Sequence, residues 1–151
     1  MSFTARYVHT NLIAKDWRQL VQFYVDVFGC EIIPPERNLR GSWLDKATLV
    51  PDAHLQGVHL RLPGYGDDGP TLEIFSYNKQ MPRRQRLANF LGYGHIAFLV
   101  DDVLAARDKV FINGGSEYGQ MVTFELPEIG KLTIVYVLDP EGNIVELQSR
   151  E

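Results

Sequence analysis

The chain repeats itself, and that constrains its fold more than any other feature. Tyr7-Val8-His9 recurs as Tyr93-Gly94-His95, 86 residues further on. The same offset carries Asp16 onto Asp102, Gly29 onto Gly115 and Glu31 onto Glu117 without a gap. The ends of the copies also match. DDGPTLEI (67–74) resembles DPEGNIVEL (139–147), which sets Gly69 on Gly142 and Glu73 on Glu146. Each copy is therefore a small module, too short to close a core by itself, and the fold must be built from two of them.

The order of elements follows from periodicity. YVHTNLI (7–13) alternates as a strand, Asp16 is placed to cap a helix, and Trp17, Leu20, Val21, Tyr24, Val27 and Phe28 recur at helical spacing up to a Gly29 stop. CEII (30–33) reads as a short strand that Pro34-Pro35 ends. RGSWLDKATLV (40–50) holds one or two helical turns. VHLRL (58–62) and TLEIFSY (71–77) are strands flanking a Gly/Pro turn cluster. The second copy predicts a strand over 93–100, a helix through VLAARDKVFI capped by Asp101 or Asp102 and ended at Asn113-Gly114-Gly115, and strands at VTFEL, KLTIVYVLD and IVELQ, the last two joined by a tight PEGN turn. Both copies read βαβββ. The expected fold class is α+β, with paired βαβββ modules forming an open, curved mixed sheet around a metal-binding cleft. The expected boundaries are 1–80 for the N-terminal module, 81–92 for a basic linker and 93–151 for the C-terminal module.

Composition narrows the function. A net charge of −4 and a pI near 5.5 argue against nucleic-acid binding, which needs a basic surface. A single cysteine, Cys30, rules out an internal disulfide and a cysteine-based zinc cluster. The N-terminus carries no signal-peptide pattern and no stretch approaches a membrane span, so a cytoplasmic location is expected and no membrane partner.

The repeat also delivers the candidate chemistry. Overlay of the copies puts His9 on His95 and Glu73 on Glu146, two histidines and two carboxylates at pseudo-symmetric strand positions. A glutamate inside an apolar strand, as in TLEIF or IVELQ, must be paired or bind metal. Two imidazoles and two carboxylates suit one divalent ion, Ni²⁺, Co²⁺, Mn²⁺, Fe²⁺ or Zn²⁺, with positions left for water or substrate.

Four segments, YVHTNLIAKDWRQLVQFYVDVFG, GPTLEIF, GYGHIAFLVDDV and VYVLDPEGNIVELQ, resemble the vicinal oxygen chelate superfamily, which includes glyoxalase I, methylmalonyl-CoA epimerase, extradiol dioxygenases and fosfomycin-resistance enzymes. The resemblance implies paired βαβββ modules and metal ligands on the first and last strands of each module, at His9, Glu73, His95 and Glu146. The full His, Glu, His, Glu set is most similar to glyoxalase I. It implies a lyase or isomerase that removes a proton beside a metal-chelated carbonyl, with Glu146 and Glu73 as candidate bases. An acyl-CoA epimerase, an extradiol-type dioxygenase, and a non-catalytic module that sequesters a small ligand among Trp17, Trp43, Tyr65, Phe75 and Tyr77 are the alternatives. The resemblance further implies a small-molecule substrate and a homodimer.

Other residues carry weaker signals. In VHLRL, His59 and Arg61 share one face against Val58, Leu60 and Leu62 on the other. The plain reading is a solvated face, and the sharper one makes Arg61 the contact for an anionic substrate. His54 and His59 both lie outside the symmetric set. Arg83, Arg84 and Arg86 read as solvated or as a clamp over an anionic tail. Cys30 reads as a small packing residue.

Overall fold

The computed structural model describes residues 2–82 and 86–151, so the expectations for Arg83 and Arg84 lie outside the described residues. The chain forms two compact units, 1–82 and 83–151. The first runs β1 (His9–Ile13), α1 (Trp17–Phe28), β2 (Glu31–Arg40), α2 (Ser42–Thr48), β3 (His54–Arg61) and β4 (Thr71–Tyr77). Its four strands form one mixed sheet in the order β1-β4-β3-β2, with β1 parallel to β4 and the other pairs antiparallel.

Local chemistry explains the elements. Asp16 is extended and its carboxylate accepts from the backbone N–H groups of Arg18 and Gln19, relieving two of the orphan donors that begin a helix. Gly29, at φ 70°, closes α1 with its N–H on the Val25 carbonyl. The apolar stripe of α1 buries Leu20, Val21 and Tyr24. One sheet face carries Val58, Leu60, Leu72 and Ile74, also buried. Each of these side chains contributes roughly 1.5–3 kcal/mol on burial. The opposite face is divided. Towards α2, Leu55 and Phe75 pack with Leu44 and Ala53 in a second core. Beyond them the face turns polar, with His9, Asn11, His59, Arg61 and Glu73.

Two local expectations need correction. Pro34-Pro35 does not end β2, which continues to Arg40 through a register shift between Ile33 and Arg37. β2 is the edge strand of its sheet, so prolines without N–H groups fit at a bulge there without breaking a ladder bond. β3 begins at His54 rather than Val58.

The second unit runs β5 (Ile96–Leu99), α3 (Val103–Ile112), β6 (Ser116–Glu117), β7 (Val122–Leu126), β8 (Gly130–Leu138) and β9 (Ile144–Arg150). The order is β5-β9-β8-β6, and β7 also pairs with β8. β6 meets β8 at Val137 and Leu138, whereas β7 meets it from Gly130 to Ile134, so the module's second strand is present as two pieces. Asp102 caps α3 through the Ala105 N–H. Each module thus has its own open mixed sheet, which is the βαβββ plan with an added helix in the first copy and a divided strand in the second. Among the described residues no helix is long and apolar enough to cross a membrane.

Cys30 is 2% exposed, as expected of a packing residue, and burial pushes its thiol up to about 12. The native protein is expected to resist iodoacetamide at pH 8 and to be labelled once unfolded. Labelling of the native state at the rate of a free thiol would contradict this. The folded state keeps the proton where the unfolded chain releases it. This group therefore lowers stability as pH rises from about 9 towards 12.

Candidate metal centre

In the first unit the strand register gathers the site. Asn11 stands beside Glu73 across the β1–β4 pair, and His59 stands opposite Glu73 across the β3–β4 pair. His9 lies two residues before Asn11, on the same face. The Glu73 carboxylate is 14% exposed and is held from both sides. Asn11 Nδ2 donates to Oε1 at 2.9 Å, His59 Nε2 lies 2.8 Å from Oε2, and His9 Nε2 lies 3.8 Å from Oε1. One donor atom from each of His9, His59 and Glu73 falls within 4.8 Å of the others. Ligands about 2.1 Å from a shared ion, on opposite sides, are about 4.2 Å apart, so small rotations suffice to close this set on a divalent metal.

His59 is the less exposed of the two imidazoles, and its pKa is lowered. Burial is the main cause, the Glu73 charge opposes it, and Arg37 and His9 reinforce it. The Glu73 contact alone would favour the imidazolium, but desolvation outweighs it, which leaves the neutral form that ligates metals.

The second unit repeats the arrangement with two changes, Tyr136 in place of His59 and Ala97 in place of Asn11. His95 immediately precedes β5, and its Nε2 lies 2.9 Å from Glu146 Oε2. Tyr136 stands opposite Glu146 in the β8–β9 ladder, where His59 stands opposite Glu73. The Tyr136 hydroxyl hydrogen-bonds Glu146, and its ring meets His95 edge-on at 5.0 Å. Burial, and then the Glu146 charge and hydrogen bond, push the tyrosine pKa up, so the phenol stays a donor. The turn before β9 is fixed by Asp139, which is 2% exposed and accepts from the N–H groups of Glu141 and Asn143 and from Asn143 Nδ2. Gly142 supplies φ 75° there. This turn sets where Glu146 enters the sheet.

Each unit therefore brings together its own expected pair, His9 with Glu73 and His95 with Glu146. Sequence reasoning passed over His59 and Tyr136. The alternation of VHLRL did put His59 on a polar face, but its position opposite Glu73 depends on hairpin register. Arg61 lies on that face too. Its Nη1 is 2.7 Å from Glu31 and its Nη2 3.6 Å from Asp67, while its Nε is buried without a hydrogen-bond partner. His54 sits apart, 2.5 Å from Asn38.

The profile of the Glyoxalase/Bleomycin resistance protein/Dioxygenase superfamily matches residues 6–147. A protein named probable lactoylglutathione lyase from Vibrio cholerae is 30% identical over 146 residues, covering 94% of this chain and 88% of that protein. The lactoylglutathione lyase of Escherichia coli O157:H7 is 29% identical, with 94% and 90% covered. Among solved structures, a glyoxalase family protein from Bacillus cereus superposes with a TM-score of 0.83 at 16% identity, covering 98% of this chain and 95% of that one. The trypanothione-dependent glyoxalase I of Leishmania major gives 0.61 at 21% identity, with 97% and 87% covered.

Proposed function

Because the chain belongs to the glyoxalase/bleomycin resistance protein/dioxygenase superfamily, we propose that it is a metal-dependent lyase of the lactoylglutathione lyase type. One observation carries this reading: each module pairs a histidine, in or just before its first strand, with a half-buried glutamate at equivalent register. In this reading His9, Glu73, His95 and Glu146 share one divalent ion, the donors coming from one chain or from two chains of a homodimer. The superfamily also contains proteins that only bind ligands, and an intact set of donors favours an enzyme over those.

When bound, the ion would polarise a carbonyl and acidify the C–H bond beside it. Glu146 takes that proton, held in place meanwhile by Tyr136 and His95. Glu73, held by Asn11, takes a proton from solvent and returns it to the neighbouring carbon, while Glu146 releases its own to solvent, so the protons balance. The sum is an isomerisation that needs no oxidant. Arg61 meets an anionic group of the substrate, for which Asp67 now stands in.

The test is turnover of the hemithioacetal formed from glutathione and an α-ketoaldehyde, on protein reconstituted in turn with Ni²⁺, Co²⁺, Mn²⁺, Fe²⁺ and Zn²⁺. Thioester formation with at least one metal, abolished by a chelator, is expected. No turnover with any of the five would overturn the assignment. Light scattering at micromolar concentration checks the dimer, and a mass near 17.2 kDa would count against it.

A further inference from the structure

We propose that His59 is a metal ligand, so that the first module alone forms a complete three-donor site from His9, His59 and Glu73. This rests on the metal-dependent reading above and adds a donor that the pseudo-symmetric set lacks. Two nitrogens and one carboxylate oxygen from this module leave the other positions for His95, Glu146 and a substrate or water oxygen.

The surroundings of His59 are those of a ligand and not of a packing residue. Its Nε2 faces the Glu73 carboxylate at 2.8 Å, and its ring is 5.6 Å from that of His9, edge-on. Its Nδ1 lies 3.2 Å from the Thr71 hydroxyl. A ligating imidazole needs its second nitrogen held by a neighbouring group. A threonine hydroxyl serves in both tautomers. It donates to a bare Nδ1 while Nε2–H is on Glu73, and it accepts from Nδ1–H once Nε2 is given to a metal. The exchange moves one proton between the two nitrogens and leaves the imidazole neutral. The second module shows the contrast. Tyr136 occupies the matching position opposite Glu146 and offers a phenol in place of an imidazole. The two half-sites are thus unequal: the first has three donors and the second two, which makes the first the seat of the ion.

The decisive experiment uses the full chain labelled with ¹⁵N-histidine and titrated with Zn²⁺. Long-range ¹H–¹⁵N spectra report each imidazole nitrogen, and comparison with His59→Gln assigns His59. Of the chain's four histidines, three are expected to move, His9, His59 and His95, while His54 stays in place. Movement of His9 and His95 without His59 would overturn the proposal and leave the proposed function intact. If no histidine responds, the metal-dependent reading fails and takes this one with it. Co²⁺ affinity gives a second readout that does not depend on turnover. The double variant His95→Ala/Glu146→Ala is expected to retain Co²⁺, and adding His59→Gln should weaken it by a further factor of about 10–100. Loss of all Co²⁺ binding from a double variant that still melts cooperatively would also overturn the proposal.

Discussion

Glu146→Gln is expected to keep the metal and lose the reaction. Glutamine preserves a neutral oxygen of the same reach opposite Tyr136, and the hydroxyl can still donate to it. What disappears is the ability to accept a proton. A general base contributes about 10²–10⁴-fold to rate, so kcat should fall by that order, while metal content falls far less. The check is kcat on the hemithioacetal alongside metal content of the same preparation. Unchanged kcat would pass the role of base to Glu73, and Glu73→Gln would then show the large loss. If neither substitution slowed solvent-proton exchange into the product, proton abstraction by a carboxylate would have to be given up for this protein.

Gly57→Ala is expected to be the most damaging single methyl group in the first module. Gly57 faces Phe75 in the β3–β4 ladder, two residues from the His59–Glu73 pair. A Cβ added there would stand 2.0 Å from the Ile74 carbonyl oxygen and 2.3 Å from Phe75 Cδ1. The carbonyl belongs to the ladder and cannot rotate away, so the two strands must separate. Overpacking of this kind costs about 1–3 kcal/mol, and a clash with backbone falls at the upper end. For a chain of this size that lowers Tm by roughly 5–10 °C. The same displacement draws His59 away from Glu73, so metal affinity should fall as well. A variant that melts within a degree or two of the parent would show that β3 and β4 have room the structure does not give them.

Much of this was legible in the sequence because it rests on local signals. The caps Asp16 and Asp102 and the stop Gly29 work through hydrogen bonds within a few residues of themselves. α1 and α3 therefore run where the spacing predicts, Trp17–Phe28 and Val103–Ile112. VTFEL and TLEIFSY are strands over the expected residues because β-branched and aromatic side chains alternate there. The two His–Glu pairs were legible for a different reason. The repeat told which residues are equivalent, and equivalent residues in a parallel β1–β4 and β5–β9 pairing meet the same partner.

The rest depends on register between distant strands, which sequence does not carry. The turn from β3 to β4 spans 62–70, whereas the turn from β8 to β9 spans 139–143. One offset cannot align both flanks of those hairpins, so nothing in the sequence sets His59 on Tyr136. The sequence predicts an end to β2 at Pro34-Pro35 because the usual penalty for proline applies to a paired N–H. Only the sheet order reveals that β2 is an edge. The division of the second strand into β6 and β7 likewise depends on what β8 offers each piece.

The most direct test of the account is the number of divalent ions held by the wild-type chain. After reconstitution with excess Co²⁺ and dialysis, atomic emission on the protein should give one ion per chain. Protein that emerges without metal would contradict the account, and so would protein holding two ions per chain, one for each module.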